Sequence, residues 1–297
     1  MKLTIESKLT LNDGHLMPQL GLGVWQTRAG ATCEAAVLAA VEAGYRHIDT
    51  AALYGNEESV GAAIRSSGIP REEIFVTTKL WNSDHGNPGR ALDASLRKLK
   101  FDYVDLYLIH YPVRERQQSW RALEALHAEG KARSIGVSNF TIRHLTELLA
   151  ETNTVPSVNQ VEFHPYLYQR NLLDFCAERG IVLEAYSPLT KGARLKDPKL
   201  VAVAKKYSQA GAQPAARRSR LPLVDRLSRH SETKSTAQIL IRWALQHGLA
   251  AIPKSANRGR IFENADVFDF EITAQDMQIL DRFNENLRTC WDPTDAA

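Results

Sequence analysis

The sequence predicts an α/β protein, and within that class a single (β/α)₈ TIM barrel preceded by an N-terminal β-hairpin. Two observations carry this prediction. Short apolar, β-branched runs alternate eight times with amphipathic helical runs, and no GxGxxG segment occurs anywhere in the chain. Such alternation indicates parallel strands covered by helices. An open doubly wound sheet normally carries GxGxxG after its first strand, so its absence favours the closed barrel.

The predicted strands are short runs between helical segments. Val104–Ile109 is apolar almost throughout, which is typical of a parallel strand buried on both faces. The eight predicted strands are Gln19–Val24, Tyr45–Asp49, Ile74–Lys79, Val104–His110, Arg133–Ser138, Ser157–Val161, Ile181–Tyr186 and Ala250–Lys254.

The segments between the strands carry helix and turn signals. Asn56 is predicted to cap a helix in which Val60 and Ile64 share one face, and Gly68 is predicted to end it. Ahead of the barrel, Asp13–Gly14 predicts the turn of a hairpin.

Composition excludes several classes of protein. No apolar run approaches the roughly 20 residues of a membrane span, and Met1–Lys8 has no signal-peptide core, so a cytoplasmic protein without membrane contact is predicted. The three cysteines (Cys33, Cys176 and Cys290) lack CxxC spacing, so neither a disulfide framework nor a metal site is indicated. The net charge of +3 is carried by Gln209–Thr233, so nucleic-acid binding is not indicated either.

Four titratable residues lie where predicted strands end: Asp49, Tyr54, Lys79 and His110. Barrel enzymes assemble their catalytic groups at this end. We expect Lys79 to lower the pKa of Tyr54 and Asp49 to balance the buried ammonium. Tyr54 would then donate a proton to a carbonyl oxygen that His110 orients. Reduction of that carbonyl also requires a hydride, which none of these side chains supplies, so a nicotinamide cofactor is implied.

Several longer motifs resemble signatures of the aldo-keto reductase superfamily. The resemblance covers about residues 8–208 and 234–293, and a short loop after His110 is similar to compact microbial and fungal members of the aldose or diketogluconate reductase type. The matching motifs are Gly44–Ala51, Tyr54–Glu57, Val104–His110, Ile135–Phe140 and Ile252–Ser255. The resemblance implies carbonyl reduction with Asp49, Tyr54, Lys79 and His110 as the catalytic tetrad.

The resemblance also implies a set of NADPH-binding residues. Lys254 and Arg260, with Ser255, would bind the adenosine 2′-phosphate, since two cations suit a phosphate dianion. Ser138, Asn139 and Gln160 would bind the carboxamide, and Tyr186 would stack on the nicotinamide. Ser187 and Leu189 would contact the pyrophosphate, and Glu263 and Asn264 would lie near the adenine.

The substrate pocket implied by the resemblance is aromatic. Trp25, Trp81 and Tyr111 would form its walls, and Trp291, in a C-terminal tail over the active-site face, would close it. Such a pocket suits small aldehydes, sugar aldehydes and ketones. Because compact relatives are often monomers, a monomer is expected.

One segment, Gln209–Thr233, interrupts the family pattern, which would otherwise run from Lys205–Ser208 directly into Lys234–Gln238. Three interpretations remain open: a disordered surface loop, translated non-coding or engineered sequence, or a basic arm for a partner. We expect it to lie between two outer helices, away from the tetrad.

Two other functions are weighed against the reductase. A non-catalytic NADPH-binding regulator on the same fold would not need all four tetrad residues. A metal-dependent barrel hydrolase would need a His-x-His pair on an early strand, which His47 does not provide.

Overall fold

The computed structural model describes residues 2–207 and 233–296, in which eight parallel strands form a closed barrel. Neighbouring strands pair in sequence order, and the bridges Leu20–Ala251 and Gly23–Lys254 join the first strand to the last. The predicted (β/α)₈ barrel is therefore confirmed. Its strands are β3 (Leu22–Gly23), β4 (His47–Asp49), β5 (Phe75–Leu80), β6 (Val104–Ile109), β7 (Ala132–Ser138), β8 (Val158–Glu162), β9 (Val182–Tyr186) and β10 (Ala250–Ala251).

The predicted hairpin closes the amino-terminal end of the barrel. Strands β1 (Lys8–Thr10) and β2 (Leu16–Pro18) pair antiparallel around a turn that includes Gly14, whose φ is +88°. Met17 is fully buried and packs in one cluster with Phe75 and Leu106 from the barrel strands. The hairpin thus covers the end opposite the carboxyl ends of the strands.

Helices surround the barrel. No helix within residues 2–207 and 233–296 is long and apolar enough to cross a membrane. The helices are α1 (Ala31–Glu42), α2 (Glu57–Ser66), α3 (Pro88–Leu99), α4 (Arg116–Ala128), α5 (Ile142–Leu149), α6 (Arg170–Ala177), α7 (Pro198–Ala204), α8 (Thr236–Gln246), α9 (Arg258–Ala265) and α10 (Ala274–Asp281).

The prediction that the Asn56 side chain caps α2 is wrong. Asn56 does precede the helix, but its side chain forms no cap. Its amide donates to the backbone oxygens of Val24 and Thr27, at 2.9 and 3.1 Å, and accepts from the Thr50 hydroxyl. Asn56 is fully buried, and these bonds satisfy its side-chain amide.

The segment Gln209–Thr233 lies outside the described residues except for Thr233. On either side of it, Lys234 N donates to Tyr207 O at 2.8 Å, so these two flanking residues lie side by side.

Candidate active site

A cleft of about 1170 Å³ opens at the carboxyl ends of the barrel strands. Asp49 at the end of β4, His110 directly after β6, and Tyr54 all line it. Tyr54 stands in a single 3₁₀ turn, Ala52–Tyr54, that follows β4. Parallel strands bring their ends to one edge, which is why residues far apart in sequence meet here.

Lys79, on β5, joins two members of this group. Its Nζ lies 2.7 Å from both carboxylate oxygens of Asp49 and 3.2 Å from the Tyr54 hydroxyl. A further bond runs from Nζ to Thr50 O at 2.9 Å, and the Lys79 side chain is fully buried. The ring of His110 meets that of Tyr54 edge-on, with centroids 5.6 Å apart. The structure therefore brings all four predicted tetrad residues together.

The predicted lowering of the Tyr54 pKa is wrong for the protein without cofactor. Burial raises the pKa of Tyr54 well above its usual range, and the carboxylates of Asp49 and Glu184 raise it further. The charge of Lys79 is already neutralised by Asp49, which explains why the ammonium does not prevail. Burial, followed by the Lys79 charge, holds the pKa of His110 well below its usual range. At neutral pH the site thus has a protonated phenol and a neutral imidazole.

A second buried carboxylate, which the sequence analysis did not single out, lies beneath the tetrad. The amide nitrogen of Gln160 donates both to Asp49, at 2.8 Å, and to Glu184, at 2.6 Å. The other oxygen of Glu184 faces His47 Nε2 at 3.6 Å. Burial, with repulsion from Asp49, raises the pKa of Glu184 to about 8. The available signal was an acidic residue in an otherwise apolar strand. Strand residues of a barrel face either the barrel interior or the surrounding helices, so this carboxyl group is buried on either face.

Polar groups on β7 and β9 line one wall of the cleft. The Tyr186 hydroxyl donates to Asn139 Oδ1 at 2.7 Å, and the Asn139 amide donates to His110 O and to Ser138 Oγ. Asn139 has a φ of +64°, a backbone conformation that asparagine tolerates better than most residues. These bonds fix Ser138, Asn139 and Tyr186 in one rigid array beside Gln160.

The far end of the cleft carries positive charge without a partner. Lys254 and Arg260 both line it, and neither forms an ion pair with any described residue. Asn257 caps α9 by accepting from Arg260 N, so the amino-terminal end of that helix faces the same space. Unpaired cations at a helix N-terminus favour an anion. The other predicted residues of this region line the cleft as well: Ser187, Leu189, Ser255, Glu263 and Asn264.

Aromatic side chains surround the mouth above His110. Trp291, in the tail after α10, contacts the rings of Trp25, Trp81 and Tyr111 at centroid distances of 6.4, 5.8 and 5.9 Å. Trp291 also lies 6.2 Å from the His110 ring. Trp25 and Trp291 line the cleft itself, whereas Trp81 and Tyr111, which were predicted as walls, pack against Trp291 and are not among the lining residues. The tail thus lies over the active-site face, as predicted.

Other lining residues were not predicted. Lys191 donates from Nζ to Thr289 O at 2.7 Å, and Cys290 Sγ lies 3.3 Å from Ser187 Oγ. Both contacts join the loop after β9 to the tail. No motif marks these pairs, since about 100 residues of sequence separate their members.

The sequence and the fold both match known proteins. A sequence profile described as the Aldo/keto reductase family matches residues 19–285. The chain is 44% identical to a glyoxal reductase of Bacillus subtilis, over 97% of this chain and 96% of that protein. It is 43% identical to a methylglyoxal reductase of Yersinia pestis, over 98% of each. Among solved structures, an aldo-keto reductase of Bombyx mori in complex with NADP is 37% identical, with a TM-score of 0.83, covering 99% of this chain and 98% of that one.

Proposed function

The chain belongs to the aldo/keto reductase family, and from this premise we propose that it reduces aldehydes and ketones with NADPH, with Tyr54 as the proton donor. As a member of the family it is an NADP-dependent oxidoreductase. The observation that carries the finer proposal is the position of Lys79 Nζ, 3.2 Å from the Tyr54 hydroxyl and 2.7 Å from Asp49.

The proton-transfer chemistry follows from this arrangement. Hydride addition to a carbonyl carbon places negative charge on its oxygen, and Tyr54, still protonated because of its raised pKa, can neutralise that charge. The tyrosinate left behind lies beside the Lys79 ammonium, which Asp49 holds in place. A neutral His110 retains one ring N–H, which can donate to the carbonyl oxygen and orient the substrate.

The residues of the cleft fit NADPH, which supplies the hydride when bound. Ser138, Asn139 and Gln160 would bind the carboxamide against Tyr186. Lys254 and Arg260 would bind the 2′-phosphate, because their charges have no other described partner. Ser187 and Leu189 would contact the pyrophosphate, with Ser255, Glu263 and Asn264 at the adenosine end.

Small carbonyl compounds fit the substrate side. The mouth beside His110 is aromatic: Trp25 and Trp291 line it, and Trp81 and Tyr111 pack against Trp291. Relatives named as glyoxal reductase and methylglyoxal reductase act, by their names, on small dicarbonyl compounds. Short dicarbonyls and aldehydes are therefore the first substrates to test.

The test is consumption of NADPH by purified protein with glyoxal, methylglyoxal, sugar aldehydes and diketones, with NADH in parallel. Tyr54→Phe is the matched variant, because it keeps the ring and removes only the hydroxyl. We expect turnover in the wild type, and in the variant a loss of roughly 10²-fold or more with NADPH binding retained. Turnover retained by the variant would remove Tyr54 as proton donor. NADPH binding without turnover of any substrate by the wild type would favour the non-catalytic regulator.

A further inference from the structure

The C-terminal tail is held by one buried side chain that the proposed mechanism does not use. Glu162 ends β8, and its side chain is fully buried. One oxygen, Oε1, accepts from Thr289 N at 2.7 Å, from the Thr289 hydroxyl, and from His164 Nε2 at 3.2 Å. The other oxygen, Oε2, accepts from Cys290 N at 3.1 Å. Both carboxylate oxygens are thus committed to the tail.

The tail residues bound by Glu162 immediately precede Trp291, which covers His110 and Trp25. Trp291 itself is 44% exposed, so burial of its own surface does not fix it firmly. Two neighbouring backbone N–H groups bonded to one carboxylate fix the path of the chain at Thr289–Cys290, and with it the point from which the Trp291 ring projects.

We propose that Glu162 is a positioning residue for the substrate: it anchors the tail so that Trp291 closes the pocket over the carbonyl site. The role of that pocket rests on the proposed reductase function. Burial on its own would raise the pKa of Glu162, but the donors from His164 and Thr289 hold it below its usual range. The carboxylate therefore stays ionised at neutral pH and is a stronger acceptor than a neutral amide.

Other contacts also hold the tail, which makes the expected effect local. The Tyr111 hydroxyl donates to Asp292 O at 2.9 Å, and Lys191 donates to Thr289 O. Removing Glu162 should consequently loosen residues 289–291 without detaching the whole tail.

Hydrogen–deuterium exchange of the tail tests the anchor without requiring turnover. In Glu162→Ala, the amides of Thr289 and Cys290 lose their acceptor, and we expect their exchange to accelerate roughly tenfold or more. Glu162→Gln should fall between, because its oxygen can replace only one of the two carboxylate oxygens. Glu57→Gln is the control: Glu57 is equally buried but bonds Thr78 and Lys98, away from the tail. Unchanged exchange in Glu162→Ala would overturn the proposal, whatever the enzyme reduces.

Kinetics then test the consequence for the substrate. We expect Glu162→Ala to raise the KM for carbonyl substrates several-fold while the NADPH Kd changes less than about twofold. Trp291→Ala should give a similar rise, and the double variant should be no worse than either single variant, since both act through one contact. Additive effects, or an equal loss of NADPH affinity, would contradict the proposal. Absence of turnover in the wild type would instead contradict the proposed function and leave the exchange result to decide the anchor.

Discussion

Glu184 adds a second carboxylate to a buried layer that already contains Asp49 and Lys79, with His47 and Tyr54 as the other titratable neighbours. Burial raises the pKa of Glu184 to about 8, far above that of an exposed glutamate. At pH values between the ordinary pKa of a glutamate and about 8, Glu184 holds a proton in the folded protein that it releases in the unfolded chain. The contribution of Glu184 to the free energy of unfolding therefore falls as pH rises through this window.

Glu184→Gln should remove that pH dependence. The glutamine keeps an acceptor for Gln160 and nearly the same volume, but it never ionises. We expect the melting temperature of the variant, relative to wild type, to increase steadily from pH 5 to pH 8. Calorimetry of both proteins at matched pH and ionic strength measures this difference. A difference that stays constant across the range would show that Glu184 does not titrate there.

Arg260 is the residue on which the proposed preference for NADPH most directly depends. Replacing it with alanine removes one of the two cations at the far end of the cleft that form no ion pair with any described residue, so NADPH affinity should fall about tenfold, the cost of losing a charged hydrogen bond. NADH affinity should change far less. The matched control is Arg258→Ala, since Arg258 lies on the same helix but is paired with Glu42. Fluorescence titration of the wild type and the two variants with both cofactors gives the six dissociation constants. Equal weakening of NADPH and NADH would contradict the phosphate role.

At the scale of elements, the crossing of α2 over the end of α3 depends on a glycine. A Cβ placed on Gly61 would come well within 3.0 Å of the backbone of Leu99, and backbone atoms cannot move aside as a flexible side chain does. Glycine inside a helix is otherwise unfavourable, by about 1 kcal/mol relative to alanine. Its presence here therefore indicates a packing requirement.

We expect Gly61→Ala to destabilise the protein by roughly 1–3 kcal/mol despite the better helix propensity of alanine. The control is Gly89→Ala in α3, where the nearest atom to an added Cβ is 3.8 Å away. That change should be neutral or slightly stabilising. Urea unfolding of the three proteins supplies the comparison, and a stabilised Gly61→Ala would show that the helices separate easily.

Strand boundaries show which part of the fold the sequence could predict. The strand Val104–Ile109 was predicted as Val104–His110, one residue too long, because it is apolar almost throughout; it pairs on both sides. Gln19–Val24 and Ala250–Lys254 were each predicted too long, since only Leu22–Gly23 and Ala250–Ala251 form regular strand. These two segments close the barrel through isolated bridges. The hydrophobic pattern within one segment does not indicate how regularly that segment pairs with another.

For the whole molecule, the meeting of Asp49, Tyr54, Lys79 and His110 was predictable because each lies at a predicted strand end or in the loop just after one. The contacts of Glu162 with Thr289 and of Tyr111 with Asp292 were not, because 127 and 181 residues separate the partners. The raised pKa of Tyr54 was also missed. It depends on how deeply the barrel buries Tyr54 and on which charges are already paired, and both quantities require the folded structure.

Tyr207 and Lys234, which flank residues 208–233, lie side by side, and each bonds to partners elsewhere in the described part of the chain. The two ends meet through the bond from Lys234 N to Tyr207 O. Lys234 Nζ then pairs with Asp266 and Asp269, at 3.0 and 2.6 Å, and the Tyr207 hydroxyl donates to Asp276. Ser235 and Gln238 form a capping box that starts α8.

Excision of Gln209–Thr233 would leave only Ser208 between Tyr207 and Lys234. The bond that now runs from Lys234 N to Tyr207 O would then close a three-residue γ-turn. We expect the shortened protein to melt at a temperature no lower than that of the full chain, because a shorter loop costs less entropy to close. Its rate of NADPH consumption should not fall, since no residue of the tetrad lies in the excised segment. Calorimetry and kinetics on the two proteins side by side make the comparison. A shortened protein that melts several degrees lower would mean that the segment contributes stabilising contacts of its own.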